Sequence, residues 1–171
     1  MSHFISGRLV VVVGPSGAGK DSILNAAKTH FEQNTRVEFV RRIITRECDP
    51  ATEIHDSVTE QQFIEQQGQG KFAVCWQANG LHYGLPAAIH HKIDQGQLLI
   101  ANGSRAAIDD IRSKFDKLTV VHIIANVDAL AKRLERRNRE SREQIKNRLQ
   151  RSLEAQVNFD CSQNLLPEDS M

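Results

Sequence analysis

Short apolar runs alternate along the chain with segments in which apolar residues recur every three or four positions. The apolar runs predict strands at residues 8–13, 37–40, 72–76, 97–101, 118–125 and, with a weaker signal, 159–166. Helical periodicity covers residues 20–31, 59–67, 86–95, a segment after 105, one from 128 onwards and one over 142–157. Strands that alternate with helices predict a three-layer α/β/α fold with a parallel sheet between the helices.

Local signals mark several of these boundaries. Thr59 followed by Gln62 matches a capping box at the start of a helix. Pro86 suits the first turn of the helix that Gly96 would end. Residues 79–84 contain two glycines and predict a turn-rich connection.

Length and composition restrict the class of protein. The 171 residues, 40% hydrophobic and 25% charged, predict one soluble globular domain. No apolar run approaches the roughly twenty residues of a membrane span, and Gly14 and Pro15 interrupt the run nearest the N-terminus. We therefore expect a cytoplasmic protein with no membrane partner. Three widely spaced cysteines without a C-x-x-C pair predict reduced thiols, not a disulfide or a zinc site.

The segment after the first predicted strand has the spacing of a phosphate-binding loop. It has the sequence G-P-S-G-A-G-K-D-S and leads directly into a predicted helix. Glycines let backbone N–H groups surround anionic oxygens, the lysine reaches the outer phosphates, and the helix N-terminus favours negative charge. The predicted nucleotide-phosphate site consists of Gly14, Pro15, Ser16, Gly17, Ala18, Gly19, Lys20, Asp21 and Ser22.

One residue of this loop departs from the usual pattern. The position after the lysine is normally Ser or Thr, whose hydroxyl binds Mg²⁺, and here it is Asp21. A carboxylate is a good Mg²⁺ ligand and could replace the hydroxyl, although it would repel the γ-phosphate. Alternatively, Asp21 is a favourable charge in the first turn of the helix. The sequence leaves both interpretations open.

A strongly basic segment lies towards the C-terminal end. Residues 132–151 hold nine lysines and arginines against three glutamates, which leaves +6, although the whole chain carries +1. A surface that binds nucleic acid would be expected to carry aromatic residues for base stacking, and this segment has none. A lid would instead bring guanidinium groups onto a phosphoryl group in transfer. We favour a lid at about residues 134–146 and expect no nucleic-acid partner.

A second basic cluster follows the strand predicted at residues 37–40. Arg41, Arg42, Thr45 and Arg46 could hold a phosphorylated substrate through bidentate hydrogen bonds, and solvated surface charge is the alternative. The sequence suggests neither a nucleophile triad nor a general base. An acceptor that is already an anionic phosphate needs neither, because alignment with the nucleotide and charge screening are sufficient.

Together these motifs resemble the guanylate kinase-like branch of the P-loop kinases over nearly the whole chain. The resemblance rests on the P-loop, on Thr45-Arg46, on A-N-G-L-H-Y-G over 78–84, on N-G-S-R-A over 102–106 and on the arginine-leucine pairs at 133 and 148. The P-loop form and the two longer strings are most similar to family members that phosphorylate ribose 1,5-bisphosphate. The resemblance implies a core of residues 1–36 and 91–171, a small substrate-binding flap at about 37–90 and a short lid.

The chain departs from guanylate kinases proper at positions that bind their substrate. Asp49 stands in place of the second arginine of their T-R-x-x-R string, and Val74 in place of the acid that recognises guanine. Asn102 replaces the aspartate of their I-D-V-Q-G string. A guanine site without those acids would leave the donors of the base unpaired, which is strongly disfavoured. These departures favour a sugar phosphate over GMP.

The resemblance implies that ATP, with Mg²⁺, phosphorylates ribose 1,5-bisphosphate to 5-phosphoribosyl 1-diphosphate. It implies catalytic roles for Lys20 and for Arg133, Arg137 and Arg148 of the lid, while Asp21 stays the candidate metal ligand on the chemistry of its carboxylate alone. The candidates for binding the sugar bisphosphate are Arg42, Thr45, Arg46, Tyr83, Asn102, Ser104 and Arg105.

Two other functions stay open: a guanylate kinase and a catalytically silent binding module of the same fold. Such modules typically lose the P-loop lysine and the lid arginines, whereas this chain has Lys20 and Arg137. Relatives generally continue past the strand near Asn164 into another helix, so we expect a shortened adenine pocket. The sequence does not indicate the oligomeric state.

Overall fold

The structure, a computed structural model, describes residues 7–15, 17–47 and 55–124. The chain divides into two compact units, of which the first contains residues 1–14 and 19–123. The second contains residues 15–18 and 124–171, of which 15, 17, 18 and 124 are described. The elements predicted after residue 125, and the lid, lie outside the described residues.

Strands and helices alternate along most of the first unit. In chain order the described elements are β1 (Arg8–Val13), α1 (Lys20–His30), β2 (Val37–Phe39), β3 (Ile43–Ile44), β4 (Asp56–Ser57), α2 (Glu60–Gly68), β5 (Phe72–Ala78), β6 (Leu81–Pro86), α3 (Ile89–Asp94), β7 (Leu98–Asn102), a 3₁₀ helix (Arg105–Ala107), α4 (Ile108–Lys114) and β8 (Leu118–His122). Within these ranges no helix is both long and apolar enough to cross a membrane.

A parallel sheet with β1 at its centre forms the core of this unit. The strand order among the described residues is β2-β7-β1-β8, and each neighbouring pair is parallel. Val11, Val12 and Val13 are consecutive, yet all three are buried, so β1 packs apolar side chains on both faces of the sheet. The predicted parallel α/β fold is confirmed.

The second sheet has the order β4-β3-β6-β5 in the described part of the chain and is mostly antiparallel. Strands β5 and β6 form a hairpin whose connecting residues, Asn79 and Gly80, have φ values of 52° and 74°. Two successive positive φ angles are what a tight hairpin turn of type I′ requires. The predicted turn-rich connection over 79–84 is wrong beyond Gly80, because the segment that follows pairs with β5.

The ends of the hairpin also differ from the sequence-based prediction. Pro86 is the last residue of β6, opposite Phe72, and the following helix begins only at Ile89. Proline is tolerated at such a strand end because its missing N–H is not needed by the ladder. The strand predicted at 37–40 pairs with β7 in the parallel sheet, so the second sheet spans residues 43–86.

Helix α2 packs against the hairpin. The capping box is confirmed: the backbone N of Gln62 donates to the Thr59 hydroxyl at 3.2 Å, and the backbone N of Thr59 donates to the Gln62 side chain at 2.9 Å. Phe63 of α2 is buried, and its ring stacks on that of Phe72 with centroids 4.5 Å apart. A Cβ on Gly84 would lie 2.6 Å from the Phe72 ring. Glycine at position 84 therefore allows the aromatic pair to lie flat on the sheet.

We predict that Gly84→Ala lowers the free energy of unfolding by about 1–3 kcal/mol, because the new methyl group overlaps the Phe72 ring. Urea unfolding monitored by circular dichroism measures the change. The matched control is Gly68→Ala at the end of α2, where a Cβ would meet no described atom within 4 Å. That control should be neutral or stabilising by up to about 1 kcal/mol. Equal stability of both variants would contradict the packing described here.

Candidate active site

The carboxyl ends of the central parallel strands lie at one edge of the sheet. Val12 of β1 is opposite Asn102 of β7, and the backbone N of Gly103 donates to the Val12 carbonyl at 2.9 Å. On the other side of β1, the backbone N of Ile123 donates to the Val13 carbonyl at 2.8 Å. Open parallel sheets bind ligands outside the carboxyl ends of their strands, at a topological switch point.

The glycines of the phosphate-binding loop adopt backbone angles that glycine alone adopts readily. Gly14 has φ = 151°, Gly17 has 85° and Gly19 has 93°. A Cβ on Gly14 would lie 2.4 Å from the carbonyl oxygen of Ile123. Gly14 is therefore required twice, by its backbone angle and by the close approach of the chain that leaves β8.

The loop lysine is the first residue of α1. Lys20 Nζ donates a hydrogen bond to the Gly14 carbonyl at 2.9 Å, which places the ammonium group against the first glycine of the motif. In the second unit, the backbone N of Ala18 donates to the Pro15 carbonyl at 3.2 Å and forms a turn. Ser22 lies exposed on α1, and Ser16 is outside the described residues.

Asp21 and Asn102 lie in contact, although 81 positions separate them along the chain. The Asn102 Nδ2 group donates to Asp21 Oδ1 at 3.3 Å. Asn102 is the last residue of β7 and is 5% exposed, while Asp21 occupies the first turn of α1. Gly19 is the N-cap of α1, and no side-chain hydrogen bond caps the helix there. The carboxylate of Asp21 is thus oriented by a buried amide on a rigid strand.

Ser104 and Arg105 follow β7 at the same edge of the sheet. Ser104 precedes the 3₁₀ helix, and its carbonyl accepts from the backbone N of Ala107 at 3.0 Å. Arg105 is partly buried, and loss of hydration lowers its pKa from the usual value. An arginine remains charged at neutral pH, so the incomplete hydration of Arg105 favours contact with an anion.

On the second sheet, a buried guanidinium group lies against two aromatic rings. Trp76 and Tyr83 are paired directly across the hairpin, and their rings are parallel, with centroids 5.5 Å apart. The Cζ atom of Arg42 is 5.1 Å from the Tyr83 ring centroid and 6.0 Å from that of Trp76. Arg42 is 8% exposed. Such cation–π contacts stabilise the guanidinium group at this place and compensate in part for its burial.

The other residues of the second basic cluster are arranged differently. Arg41 is exposed and forms an ion pair with Asp56 at 2.6 Å. The Thr45 hydroxyl accepts a hydrogen bond from the backbone N of His82 at 2.9 Å, so it helps to join β3 to β6. Arg46 is exposed on the described structure. The structure does not bring these residues together as one patch, and Arg42 alone is buried among the four predicted members.

Sequence reasoning missed three residues that shape this region. Trp76 completes the aromatic pair beneath Arg42, and His82 joins β6 to Thr45 through its backbone. His55 is 1% exposed, and its Nε2–H donates to the Arg46 carbonyl at 3.2 Å. The Asn79-Gly80 pair could have indicated the hairpin, and the hairpin would have placed Trp76 opposite Tyr83. No sequence signal indicated His55.

Asp21, which lies against Asn102, is the candidate carboxylate for a metal ion at this edge of the sheet. Among residues 7–15, 17–47 and 55–124, no three histidine, cysteine, aspartate or glutamate side chains form a cluster that could hold a metal ion. Mg²⁺ is commonly held by one or two carboxylates together with phosphate oxygens. The chemistry of Asp21 beside a phosphate-binding loop therefore fits Mg²⁺.

The candidate catalytic residues Arg133, Arg137 and Arg148 lie outside the described residues, so the structure does not place them relative to Lys20.

Cys75 of β5 is described, and burial raises its pKa to about 11. A cysteine with so high a pKa is a neutral thiol at physiological pH, which gives it the properties of a packing residue and not of a nucleophile.

A phosphate-binding loop between the central parallel strand and a helix defines a P-loop protein. The family model described as guanylate kinase matches residues 6–170. The chain therefore belongs to the guanylate kinase family.

Comparison with individual proteins adds detail to the match with the family model. The chain is 47% identical over 144 residues to ribose 1,5-bisphosphate phosphokinase PhnN of Agrobacterium fabrum, covering 84% of this chain and 79% of that protein. It is 49% identical over 154 residues to the protein of the same name from Brucella melitensis, covering 90% of this chain and 78% of that one. The crystal structure of guanylate kinase from Anaplasma phagocytophilum shares the fold, with a TM-score of 0.63 and 14% identity over 92% of this chain and 74% of that chain.

We predict that Cys75 reacts with iodoacetamide at pH 8 on the order of a hundredfold more slowly than an unperturbed cysteine, because its thiolate fraction is that much smaller. The rate should rise as the pH approaches 11. Mass spectrometry of a variant with Cys48→Ser and Cys161→Ser isolates the reaction of Cys75. The same variant unfolded in urea is the control and should react at the ordinary rate. Equal rates in folded and unfolded protein would contradict the raised pKa.

Proposed function

We propose that this protein is a kinase that uses ATP to convert ribose 1,5-bisphosphate into 5-phosphoribosyl 1-diphosphate. The observation that carries the proposal is the identity of 47–49%, over most of the chain, with relatives named ribose 1,5-bisphosphate phosphokinase. The local geometry of the phosphate-binding loop supports the use of a nucleoside triphosphate.

The nucleotide phosphates are held by residues 14–22. Positive φ angles at Gly14, Gly17 and Gly19 support a loop whose N–H groups turn towards an anion. Lys20 Nζ lies 2.9 Å from the Gly14 carbonyl oxygen, and in this proposal its ammonium group binds the outer phosphates. Asp21 would hold Mg²⁺, and the ion would screen the negative charge of the triphosphate.

The reaction is an in-line transfer between two phosphates. An oxygen of the 1-phosphate of the sugar attacks the γ-phosphorus of ATP, and a new P–O bond forms as the bond to the β-bridging oxygen breaks. ADP leaves with that electron pair, and the sugar carries a diphosphate at its first carbon. The attacking oxygen is already ionised, so no general base is needed. Alignment and charge neutralisation by Lys20 and the lid residues Arg133, Arg137 and Arg148 account for the catalysis in this proposal.

The acceptor is bound by cationic and polar groups of the first unit. Arg42 is the strongest candidate, because a buried guanidinium group held against an aromatic ring suits the bidentate recognition of a phosphate. The Tyr83 ring lies against Arg42, and Thr45 and Arg46 directly follow β3. Asn102, Ser104 and the partly buried Arg105 provide further groups at the carboxyl end of β7.

Guanylate kinase activity is the alternative within the same family. Val74 is 1% exposed and has no polar side-chain atom, so it cannot pair with the donors of a guanine base. The amide of Asn102 is directed at Asp21. Both observations support an acceptor that has no base. A silent binding module is less well supported, because the P-loop and its lysine are present.

Purified protein with Mg-ATP should release ADP in the presence of ribose 1,5-bisphosphate and not in the presence of GMP. A coupled spectrophotometric assay measures ADP, and phosphorus NMR identifies the diphosphate product. Turnover with GMP alone would establish the alternative, and turnover with neither acceptor would favour the silent module. Lys20→Ala is the matched control: its turnover should disappear while its melting curve stays that of the parent. Near-normal turnover of that variant would exclude the P-loop as the catalytic site.

We predict that Arg42→Lys lowers kcat/KM for ribose 1,5-bisphosphate by about tenfold to a hundredfold and leaves the KM for ATP unchanged. Lysine retains the charge, but it has no planar group to stack on Tyr83 and bind phosphate in two places. Arg41→Lys is the control on the neighbouring residue, which is exposed and paired with Asp56. Steady-state kinetics on both variants compares them. Equal kcat/KM values for the two variants would remove Arg42 from the acceptor site.

A further inference from the structure

The contact between Asp21 and Asn102 has a counterpart in P-loop enzymes in general. In those enzymes Mg²⁺ is held by the hydroxyl of the Ser or Thr after the P-loop lysine and by an aspartate after a separate strand. Here the residue after the lysine is Asp21, and β7, one of the two strands that pair with β1, ends in Asn102. The carboxylate therefore lies on the P-loop helix and the neutral polar group at the end of β7, which is the reverse of the usual arrangement.

We infer that Asp21 and Asn102 exchange these two roles. Asp21 supplies the carboxylate of the Mg²⁺ site from the P-loop helix, and Asn102 is the positioning residue that orients it from β7. The inference rests on the proposed binding of Mg-ATP at the P-loop, but not on the identity of the acceptor.

Electrostatics explains why the pair carries a single carboxylate. The two polar atoms in contact are 3.3 Å apart, and Asn102 is nearly fully buried. Aspartate at both positions would place two negative charges at this separation, which is electrostatically unfavourable. Neutral residues at both positions would leave no carboxylate near the phosphates. The site needs one carboxylate, either on the P-loop helix or at the end of β7, and a neutral side chain at the other position.

The geometry also distinguishes this role from simple stabilisation of the helix. A first-turn aspartate interacts favourably with the helix dipole without any partner on another element. Asp21 instead receives a hydrogen bond from a strand residue 81 positions away. That bond uses Oδ1, and a carboxylate has a second oxygen and further lone pairs that can bind a cation.

The exchange predicts that the pair can be reversed. The variants are Asp21→Ser, Asn102→Ala and the double variant Asp21→Ser with Asn102→Asp, which restores the usual arrangement. Electron paramagnetic resonance of Mn²⁺ in the presence of ADP measures metal affinity at equilibrium without turnover. The matched control is Asp109→Ser, which removes a fully exposed aspartate from the first turn of α4.

We expect Asp21→Ser and Asn102→Ala each to weaken Mn²⁺ binding by about tenfold to a hundredfold. The double variant should recover affinity to within about threefold of the parent, because it again has one carboxylate and one neutral group. Asp109→Ser should bind Mn²⁺ as the parent does. Parent-like Mn²⁺ affinity of Asp21→Ser, or a double variant no better than Asp21→Ser, would overturn the exchange. If the double variant does not fold, Asn102→Ala decides, and unchanged affinity there overturns it.

The experiment also separates this inference from the proposed function. A parent protein that binds no Mn²⁺ in the presence of ADP would contradict the nucleotide site, and the exchange with it. The expected pattern of Mn²⁺ affinities without turnover of ribose 1,5-bisphosphate would support the exchange and contradict only the acceptor.

Discussion

Parallel pairing of β1 with β7 on one side and β8 on the other is the constraint on which the candidate site depends. Because the three strands run in the same direction, the backbone leaves each of them at one edge. The Ile123 carbonyl, just after β8, lies so close to Gly14 that there is no room for a Cβ at position 14. The buried valines of β1 fix the position of this edge. Apolar packing therefore determines where the polar residues that follow the strand lie.

Burial of charged and polar groups at the site follows from the same arrangement. Asn102 is nearly inaccessible because it ends a strand inside the sheet, and it therefore acts as a fixed donor to Asp21. On the second sheet, Arg42 is held by the flat faces of Tyr83 and Trp76. In each case a rigid strand sets the direction of a polar group before any ligand binds, which lowers the cost of organising the site.

The sequence predicts those parts of the fold that depend on local patterns. The central strand, the P-loop helix and the capping box at Thr59 are confirmed, because each is encoded within a few residues. The hairpin was not predicted, since the turn at Asn79 and Gly80 is local but the pairing of Trp76 with Tyr83 is not. Likewise, the P-loop motif identifies Asp21 as unusual, whereas its contact with Asn102 arises only when β7 is placed beside β1.

The two candidate anion sites differ in how their charge is stabilised, and this difference bears on the choice of acceptor. The P-loop binds through backbone N–H groups and one lysine, an arrangement that accepts any triphosphate of the right length. Arg42 is held against two aromatic rings, those of Trp76 and Tyr83. A guanidinium group in that position favours an acceptor that presents phosphate. In the proposed function, the rings of Trp76 and Tyr83 therefore orient the Arg42 cation for a sugar phosphate.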